Sequence, residues 1–457
     1  MIALTPERLA DWTGGRLAGR AARDAFRGVS TDTRSLRAGN LFVALRGPNF
    51  DGHSFCAEAV AAGAAALLVE REVDADAPQV IVDDSVAALG AMGATWRRHF
   101  HGPVIAITGS NGKTTVKQCL AAIAARVGPV LATRGNLNNH IGLPLMLCEL
   151  DPDTHHAAVL ELGSNHPGEI AYLAHLCRPA VGVVTNSDAA HMEGFHTLEG
   201  VARGNAELYA ALPAGGTAVF PLDDPFVALY RQSSSAAGSA LDYAADREAP
   251  VTVRAADHGI EIGVRGEWRA ARFRLPGAHN RHNAAAAAAG ALAAGLGLDE
   301  VATGLAAAEP VAGRLVRCAG PKGSTVFDDT YNANPGSFAA GFAVLTADPG
   351  RHWVVIGEMG ELGTATAEAH RRLGAEARAA GIERLWAYGP SAHETVAGFG
   401  RGGRVVDDLD ALAEALRADL GRDVSLLVKG SRSNRLERLV ERLLDEAAPL
   451  AGAGNGG

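Results

Sequence analysis

The chain is short of several things at once, and each shortage closes off a class of protein. Its 457 residues include only five cysteines (Cys56, Cys119, Cys148, Cys177 and Cys318), odd in number, scattered, and never in C-x-x-C spacing. A disulfide scaffold and structural zinc are therefore not expected, and a reducing compartment, the cytoplasm, is. Positive charge is scarce too: 42 Lys and Arg stand against 51 Asp and Glu, a net charge of −9. That argues against broad binding to nucleic acid or an anionic membrane and leaves room for a local basic pocket. No uncharged apolar run reaches about 18 residues, so no membrane insertion is expected. Met1 to Gly15 carries Glu7, Arg8 and Asp11, with no apolar core of signal-peptide length. There is no internal repeat of about 20–50 residues. What remains is 47% hydrophobic residues and 55 glycines with few aromatics, the profile of a water-soluble α/β protein. A chain of this length calls for about three domains.

The richest segment is Val104-Ile105-Ala106-Ile107-Thr108-Gly109-Ser110-Asn111-Gly112-Lys113-Thr114-Thr115. An apolar β-branched run enters a Gly-containing turn, and Val116 to Arg126 then reads as helix. Backbone N–H groups of the turn and the positive end of the helix converge where a nucleotide triphosphate can sit. Lys113 would reach the β/γ-phosphates of ATP and the Thr114 hydroxyl would ligate Mg²⁺. The spacing departs from the standard P-loop, with Ile107 where a glycine is usual. An ordinary strand–turn–helix with an exposed lysine is the plainer alternative. Gly-Lys-Thr set directly between a buried strand and a helix favours the nucleotide.

Strand and helix signals alternate along the whole chain, which implies α/β architecture with mainly parallel sheets. Residues 1–102 form a small α/β domain with strands expected at Leu41–Leu45, Ala65–Val69 and Val80–Val82; His101-Gly102-Pro103 ends it. Residues 103–312 form a central P-loop domain with strands at Val104–Thr108, Ala158–Glu161, Val181–Thr185 and Thr217–Pro221, and a β-rich excursion over Val251–Leu275. The Ala-rich run Ala284–Leu298 reads as a closely packed helix, and the Gly/Ala tail Ala451–Gly457 as disordered. Residues 313–457 restart the alternation with strands at Thr325–Asp328, Trp353–Ile356, Arg384–Ala387 and Ser425–Val428. This last domain is Rossmann-like but lacks G-x-G-x-x-G, so dinucleotide binding is weakly supported.

Ligands in such sheets gather beyond the carboxyl ends of the strands, where Lys113, Glu161 and Asn186 all fall. Glu161 ends an apolar strand and can hold a second Mg²⁺, or a water on the first, although acidic residues at strand ends are common; the P-loop in the same sheet favours the metal role. His191 follows another buried strand and can bind metal or orient phosphate, although a solvated loop histidine is the commoner outcome. The amide-rich loop Gly135–Pro144, with Asn138, suits phosphate or substrate carbonyls and suits turn-making nearly as well. Asp328-Asp329-Thr330-Tyr331-Asn332-Ala333-Asn334-Pro335 supplies carboxylates for ribose hydroxyls, and Lys429-Gly430-Ser431-Arg432 supplies positive charge.

Together these segments resemble the Mur ligase family along nearly the whole chain. The deciding stretches are Thr108–Thr115, Gly135–Pro144, Glu161-Leu-Gly-Ser-Asn-His-Pro-Gly-Glu-Ile170, Gly313-Arg314-Leu315, Asp328–Pro335 and Lys429–Ser431. The Tyr-Asn-Ala-Asn-Pro form separates the member that accepts D-alanyl-D-alanine from the one that adds the third peptide residue. The resemblance implies an ATP-dependent amide ligase, acting through an acyl phosphate, with UDP-N-acetylmuramoyl-tripeptide and D-alanyl-D-alanine as substrates. It implies ATP contacts at Gly109, Ser110, Asn111, Gly112, Lys113, Thr114, Thr115, Asn280, Arg314 and Asp328, and metal positions at Thr114, Glu161 and His191. It implies substrate contacts at Ser30, Thr31, Asp32, Thr33, Arg34, Asn138, Tyr331, Asn332 and Asn334, with Asp51–His53 in the same first domain. A monomer is expected. Two departures stand out. Many members carry a carbamylated lysine that supports a second metal; Asn205 occupies that place here, so no carbamate is expected. The Asn-Ala that usually precedes Asp223-Asp224 is Pro221-Leu222. Alternatives are another amino-acid ligase of the superfamily, such as a folylpolyglutamate-type enzyme, and a P-loop protein that only switches conformation. The segments around Ser30–Arg34 and Asn40–His53 argue against the folylpolyglutamate type.

Overall fold

A computed structural model describes residues 4–19, 25–48, 50–189 and 192–444. The tail Ala451–Gly457 and His191 lie outside these described residues. Three principal sheets run along the chain, each with its own core, and they match the three-domain α/β expectation.

The first sheet has five strands in the order Arg16–Gly19, Pro78–Ile81, Ala66–Val69, Leu41–Val43 and Val29–Ser30, parallel except for the first. Helix Ser85–Arg97 starts on an Asp84 cap and packs against helix Gly142–Cys148 of the next domain. Trp96 lies at that junction, almost fully buried, donating from its indole nitrogen to the Leu150 carbonyl at 3.0 Å.

The central sheet has nine strands. Its order is Glu267–Ala271, Gly259–Val264, Val251–Ala256, Ser239–Ala245, Thr217–Pro221, Val181–Val184, Val104–Thr108, Ala157–Glu161 and Val130–Ala132. The first three pair antiparallel with one another as a meander, which is the expected excursion over Val251–Leu275; the remaining pairings are parallel. All five residues of Val104–Thr108 are buried, as a β-branched run covered on both faces must be. Helix Lys113–Ala124 turns Val116, Leu120 and Ile123 onto the sheet, each side chain contributing about 1.5–3 kcal/mol by leaving water. The Ala-rich run lies in helix Ala278–Ala293, a first helix that stops short of Gly295 and Gly297; a second helix, Leu298–Ala307, begins where the expected run ends. Ala284 to Ala289 are all buried, and their small side chains let the first helix lie close against the P-loop helix.

The third sheet has six strands in the order Val316–Ala319, Thr325–Asp329, Val424–Lys429, Arg351–Ile356, Arg384–Tyr388 and Gly403–Val406, parallel after the first pair. Helix Pro335–Ala347 follows the second of these strands. Among the described residues no helix is long and apolar enough to cross a membrane.

Candidate active site

The P-loop strand is an internal strand of the central sheet, and the chain leaves its carboxyl end through Gly109 (φ 134°). Gly112 is the N-cap of helix Lys113–Ala124, with φ 83° and no side-chain cap. A Cβ there would stand 2.2 Å from Asn283 Oδ1, so the left-handed backbone favours glycine and a larger residue would have to push the Asn283 side chain aside. The first N–H groups of the helix consequently have no side-chain partner from the cap, which is the arrangement an anion needs. Lys113 bends over its own turn, donating to the Gly109 carbonyl at 2.5 Å and the Ser110 carbonyl at 3.2 Å. Loss of water pushes its ammonium below the usual lysine range, and Glu161 pulls it back up.

Glu161 ends the neighbouring parallel strand and is buried. Its two oxygens accept from Thr114 Oγ1 at 3.0 Å and from Asn138 Nδ2 at 2.9 Å. Lys117, one helical turn beyond Lys113, lies 4.0 Å from the same carboxylate and donates to the Thr133 carbonyl at 2.8 Å. Burial lowers the Lys117 ammonium, again opposed by Glu161. The Thr114 hydroxyl and the Glu161 carboxylate converge here, oxygen donors that suit a hard cation such as Mg²⁺. No cluster of three His, Cys, Asp or Glu forms a self-sufficient metal cage among the described residues. Mg²⁺ typically takes few protein ligands and completes its shell with phosphate oxygens and water.

The third domain reaches into the same place. Arg314 Nη2 lies 3.4 Å from Thr114 Oγ1, and its guanidinium carbon stacks 4.3 Å from the centre of the Tyr331 ring. Arg314 Nε is buried without a hydrogen-bond partner. A buried cation with an unmet donor beside a P-loop fits an incoming phosphate. Lys429 is buried, donating to Asp329 Oδ2 at 2.6 Å and to the Asn332 carbonyl at 2.9 Å; desolvation lowers its ammonium and Asp329 raises it. Asp328 does not line this cavity. It accepts from the Gly313 N–H at 3.2 Å and from Thr330 Oγ1 at 2.7 Å, so it fixes the turn that carries Arg314, and burial raises its carboxyl.

One cavity of about 900 Å³ is lined by Ser110 to Thr115, Asn138, Glu161, Asn280, Arg314, Tyr331, Asn332, Asn334 and Lys429. Asn280 Nδ2 donates to the Pro276 carbonyl at 2.7 Å, and its Oδ1 accepts from Asn283 at 3.0 Å. Ser30, Asp32 and Arg34 are brought together elsewhere, on the first sheet. Ser30 Oγ donates to the Asp32 carbonyl at 2.9 Å, and the paired Arg34 guanidinium holds the Asp32 carboxyl down to about 2. Beyond them, His53 donates from Nδ1 to Asp51 at 2.6 Å and accepts the Glu70 N–H on Nε2 at 2.8 Å. None of these first-sheet residues lines the cavity.

Asn205 is buried beneath the P-loop strand, accepting from Thr108 Oγ1 at 3.4 Å and donating to Ser187 Oγ at 2.8 Å. Ser187 shares a 2.6 Å hydrogen bond with Tyr230, and its N–H donates to Asp224 at 2.9 Å. Asp223 and Asp224 line the cavity next to Pro221, and burial raises the Asp224 carboxyl. Sequence reasoning missed Lys117, Asn283 and the pairing of Lys429 with Asp329. Only Lys117 left a signal, its i+4 spacing from Lys113.

A P-loop and a strand-end carboxylate, closed over by cationic residues of a further α/β domain, define an ATP-using enzyme of three domains. Comparison with known proteins gives the group. Residues 25–126 match the Mur ligase family, catalytic domain; 107–291 the Mur ligase middle domain; and 313–432 the Mur ligase, glutamate ligase domain. The chain belongs to the Mur ligase family. It is 40% identical to the UDP-N-acetylmuramoyl-tripeptide--D-alanyl-D-alanine ligase of Escherichia coli K12, over 97% of this chain and 99% of that protein. A crystal structure of MurF from Acinetobacter baumannii superposes with a TM-score of 0.90 at 33% identity, covering 98% of this chain and all of that one. MurF ligase from Thermotoga maritima in complex with ADP gives 0.80 at 28% identity, over 92% of this chain and 97% of its own.

Proposed function

We propose that this chain joins D-alanyl-D-alanine to UDP-N-acetylmuramoyl-tripeptide at the expense of ATP, in cytoplasmic synthesis of peptidoglycan precursors. The observation that carries this reading is the single cavity shared by the P-loop, Glu161 and the third-domain residues Arg314, Tyr331 and Lys429. The terminal carboxylate of the tripeptide attacks the γ-phosphorus of ATP; ADP leaves and an acyl phosphate remains. The amine of D-alanyl-D-alanine then attacks the acyl carbon and loses its proton, and inorganic phosphate departs. Carboxylate and triphosphate repel each other, so the cost of bringing them together is offset by fixed positive charge from Lys113 and Arg314. Thr114 and Glu161 are the residues that would hold Mg²⁺, with His191 added by family resemblance; when bound, the ion supplies further charge against the triphosphate. Closure of the third domain over the cavity would keep water from the acyl phosphate.

In the same reading, Asn280 faces adenine, Asp328 supports the nucleotide through the Arg314 turn, and Ser30 to Arg34 hold the UDP-sugar. Asn138, Tyr331 and Asn332 run along the peptide substrates. The domains divide at 102/103 and 312/313, and the enzyme acts as a monomer. Asn205 takes the place of a carbamylated lysine, its amide held by Thr108 and Ser187, so the site works without a carbamate. An intact mass raised by carbon dioxide on a lysine of this site would contradict that.

The test mixes protein, ATP and Mg²⁺ with UDP-muramoyl-tripeptide, with and without D-alanyl-D-alanine. Equal amounts of ADP and amide product, formed only with both acceptors, are expected. ADP production indifferent to either substrate would replace ligation by a nucleotide switch. Efficient use of a single amino acid instead of the dipeptide would move the chain to a sibling ligase.

A further inference from the structure

One contact at the rim of the cavity is not required by the transfer chemistry. Asn111, in the middle of the P-loop, is held on two sides. Its Nδ2 donates to Asp188 Oδ2 at 3.1 Å, and its Oδ1 accepts from Asn334 Nδ2 at 2.8 Å. Asn334 belongs to the third domain, 223 positions further along the chain. It is also the N-cap of helix Pro335–Ala347, where its Oδ1 accepts the Ser337 N–H at 2.8 Å and its own N–H donates to Ser337 Oγ at 3.0 Å. The amide is thus divided: oxygen for the helix cap, nitrogen for the P-loop.

Asp188 completes the contact. Its backbone N–H donates to Ser110 Oγ at 2.9 Å and its carbonyl accepts from the same hydroxyl at 3.0 Å, so it moves with the P-loop. A Cβ on Gly336 would stand 1.7 Å from Asp188 Oδ2. Glycine in the first helical turn is therefore what lets this carboxylate lie against the positive end of a third-domain helix.

We propose that Asn334, with Gly336, is a latch that lets the third domain sense the P-loop, a positioning role and not a contact to the acceptor peptide. The proposal rests on the ligase reading. The turn that cradles the phosphates also sets where the Asn111 side chain points. Closure is thereby tied to the state of the phosphate cradle for as long as the acyl phosphate must be kept dry.

The test separates the two ends of the amide. Asn334→Ser keeps a good N-cap but is too short to reach Asn111. Asn111→Ala removes the partner without touching the helix. Thermal midpoint, X-ray scattering with UDP-muramoyl-tripeptide and a non-hydrolysable ATP analogue, acceptor KM and kcat, and ADP released per amide bond are measured for wild type, both single variants and the double variant. Asn334→Ser should leave the thermal midpoint in place, reduce ligand-induced compaction and raise ADP per amide bond above one. It should lower kcat/KM for D-alanyl-D-alanine about tenfold. The double variant should be no worse than Asn111→Ala alone. Gly336→Ala, which favours the helix intrinsically, should loosen closure in the same way. Losses that multiply in the double variant, or Asn334→Ser with unchanged compaction and stoichiometry, would overturn the latch. If wild type forms no amide at all, the ligase reading falls, while compaction by the ATP analogue still decides the latch.

Discussion

Two strand–loop–helix units face each other across the cavity, alike in layout and opposite in how their helices begin. In the central domain, Val104–Thr108 leads to helix Lys113–Ala124, whose N-cap is Gly112 with no side chain to give. In the third, Thr325–Asp329 leads to helix Pro335–Ala347, which has Pro at its first position and a reciprocal Asn334–Ser337 capping box. Both helices follow internal strands of mainly parallel sheets, the usual seat of ligands. The uncapped helix offers its N–H groups to an anion. The capped one has its Ser337 N–H bonded within its own cap, has no N–H at Pro335, and contributes side chains instead. Under the proposed function, which of two similar units binds the triphosphate is decided by what the chain leaves unpaired at one helix end.

The strongest way to break this contrast is Lys113→Ala. ADP formation should fall by roughly a thousandfold or more while circular dichroism and thermal midpoint stay unchanged, since electrostatic terms of this kind are worth several kcal/mol. Retained turnover would remove the phosphate cradle from the account. Gly112→Ala is a milder challenge that leaves every charge in place. The left-handed backbone at φ 83° costs an alanine about 1 kcal/mol, and its methyl meets Asn283. The KM for ATP should rise about tenfold, and calorimetry of ATP-analogue binding should show the same loss. An unchanged KM would mean that the turn does not carry the phosphates.

The smallest expected effect concerns the self-satisfied third domain. His370 is buried there, accepting the Met359 N–H on Nε2 at 3.0 Å and donating from Nδ1 to Thr395 at 2.8 Å. Burial depresses its basicity below the usual 6.5, with Glu358 and Glu394 opposing. The unfolded chain therefore takes up a proton at a higher pH than the folded one. Stability is full above about 6.5 and declines as pH falls from there through the lower folded value. Thermal midpoints measured from pH 8 to 5 should drop over that interval, and His370→Gln should flatten the drop. An equal drop in the variant would assign the sensitivity to other groups.

Much of this was legible along the chain, because the phosphate cradle is local. An apolar β-branched run, two glycines and Lys-Thr sit within twelve consecutive residues, and the Glu161 carboxylate ends a strand of the same kind. Strand Thr217–Pro221 and the three-strand excursion after residue 250 follow from local pattern as well. What was not legible is non-local. Nothing near Asn334 says that its amide nitrogen meets Asn111, nor anything near Arg314 that Tyr331 lies under its guanidinium. Strand Ser239–Ala245 escaped notice because its small residues give neither a clean alternation nor a solid apolar run. The Ala-rich stretch was legible as helix but its end was not: the helix stops at Ala293, ahead of Gly295 and Gly297, instead of running on to Leu298.

The most direct measurement is amide hydrogen exchange with and without a non-hydrolysable ATP analogue and Mg²⁺. Peptides spanning Gly109 to Thr115 should gain strong protection. The amide of Ser337, already bonded within its own cap, should exchange slowly in both states. Protection that appears at the third-domain helix and leaves Gly109 to Thr115 unaltered would contradict the claim that the uncapped helix holds the triphosphate.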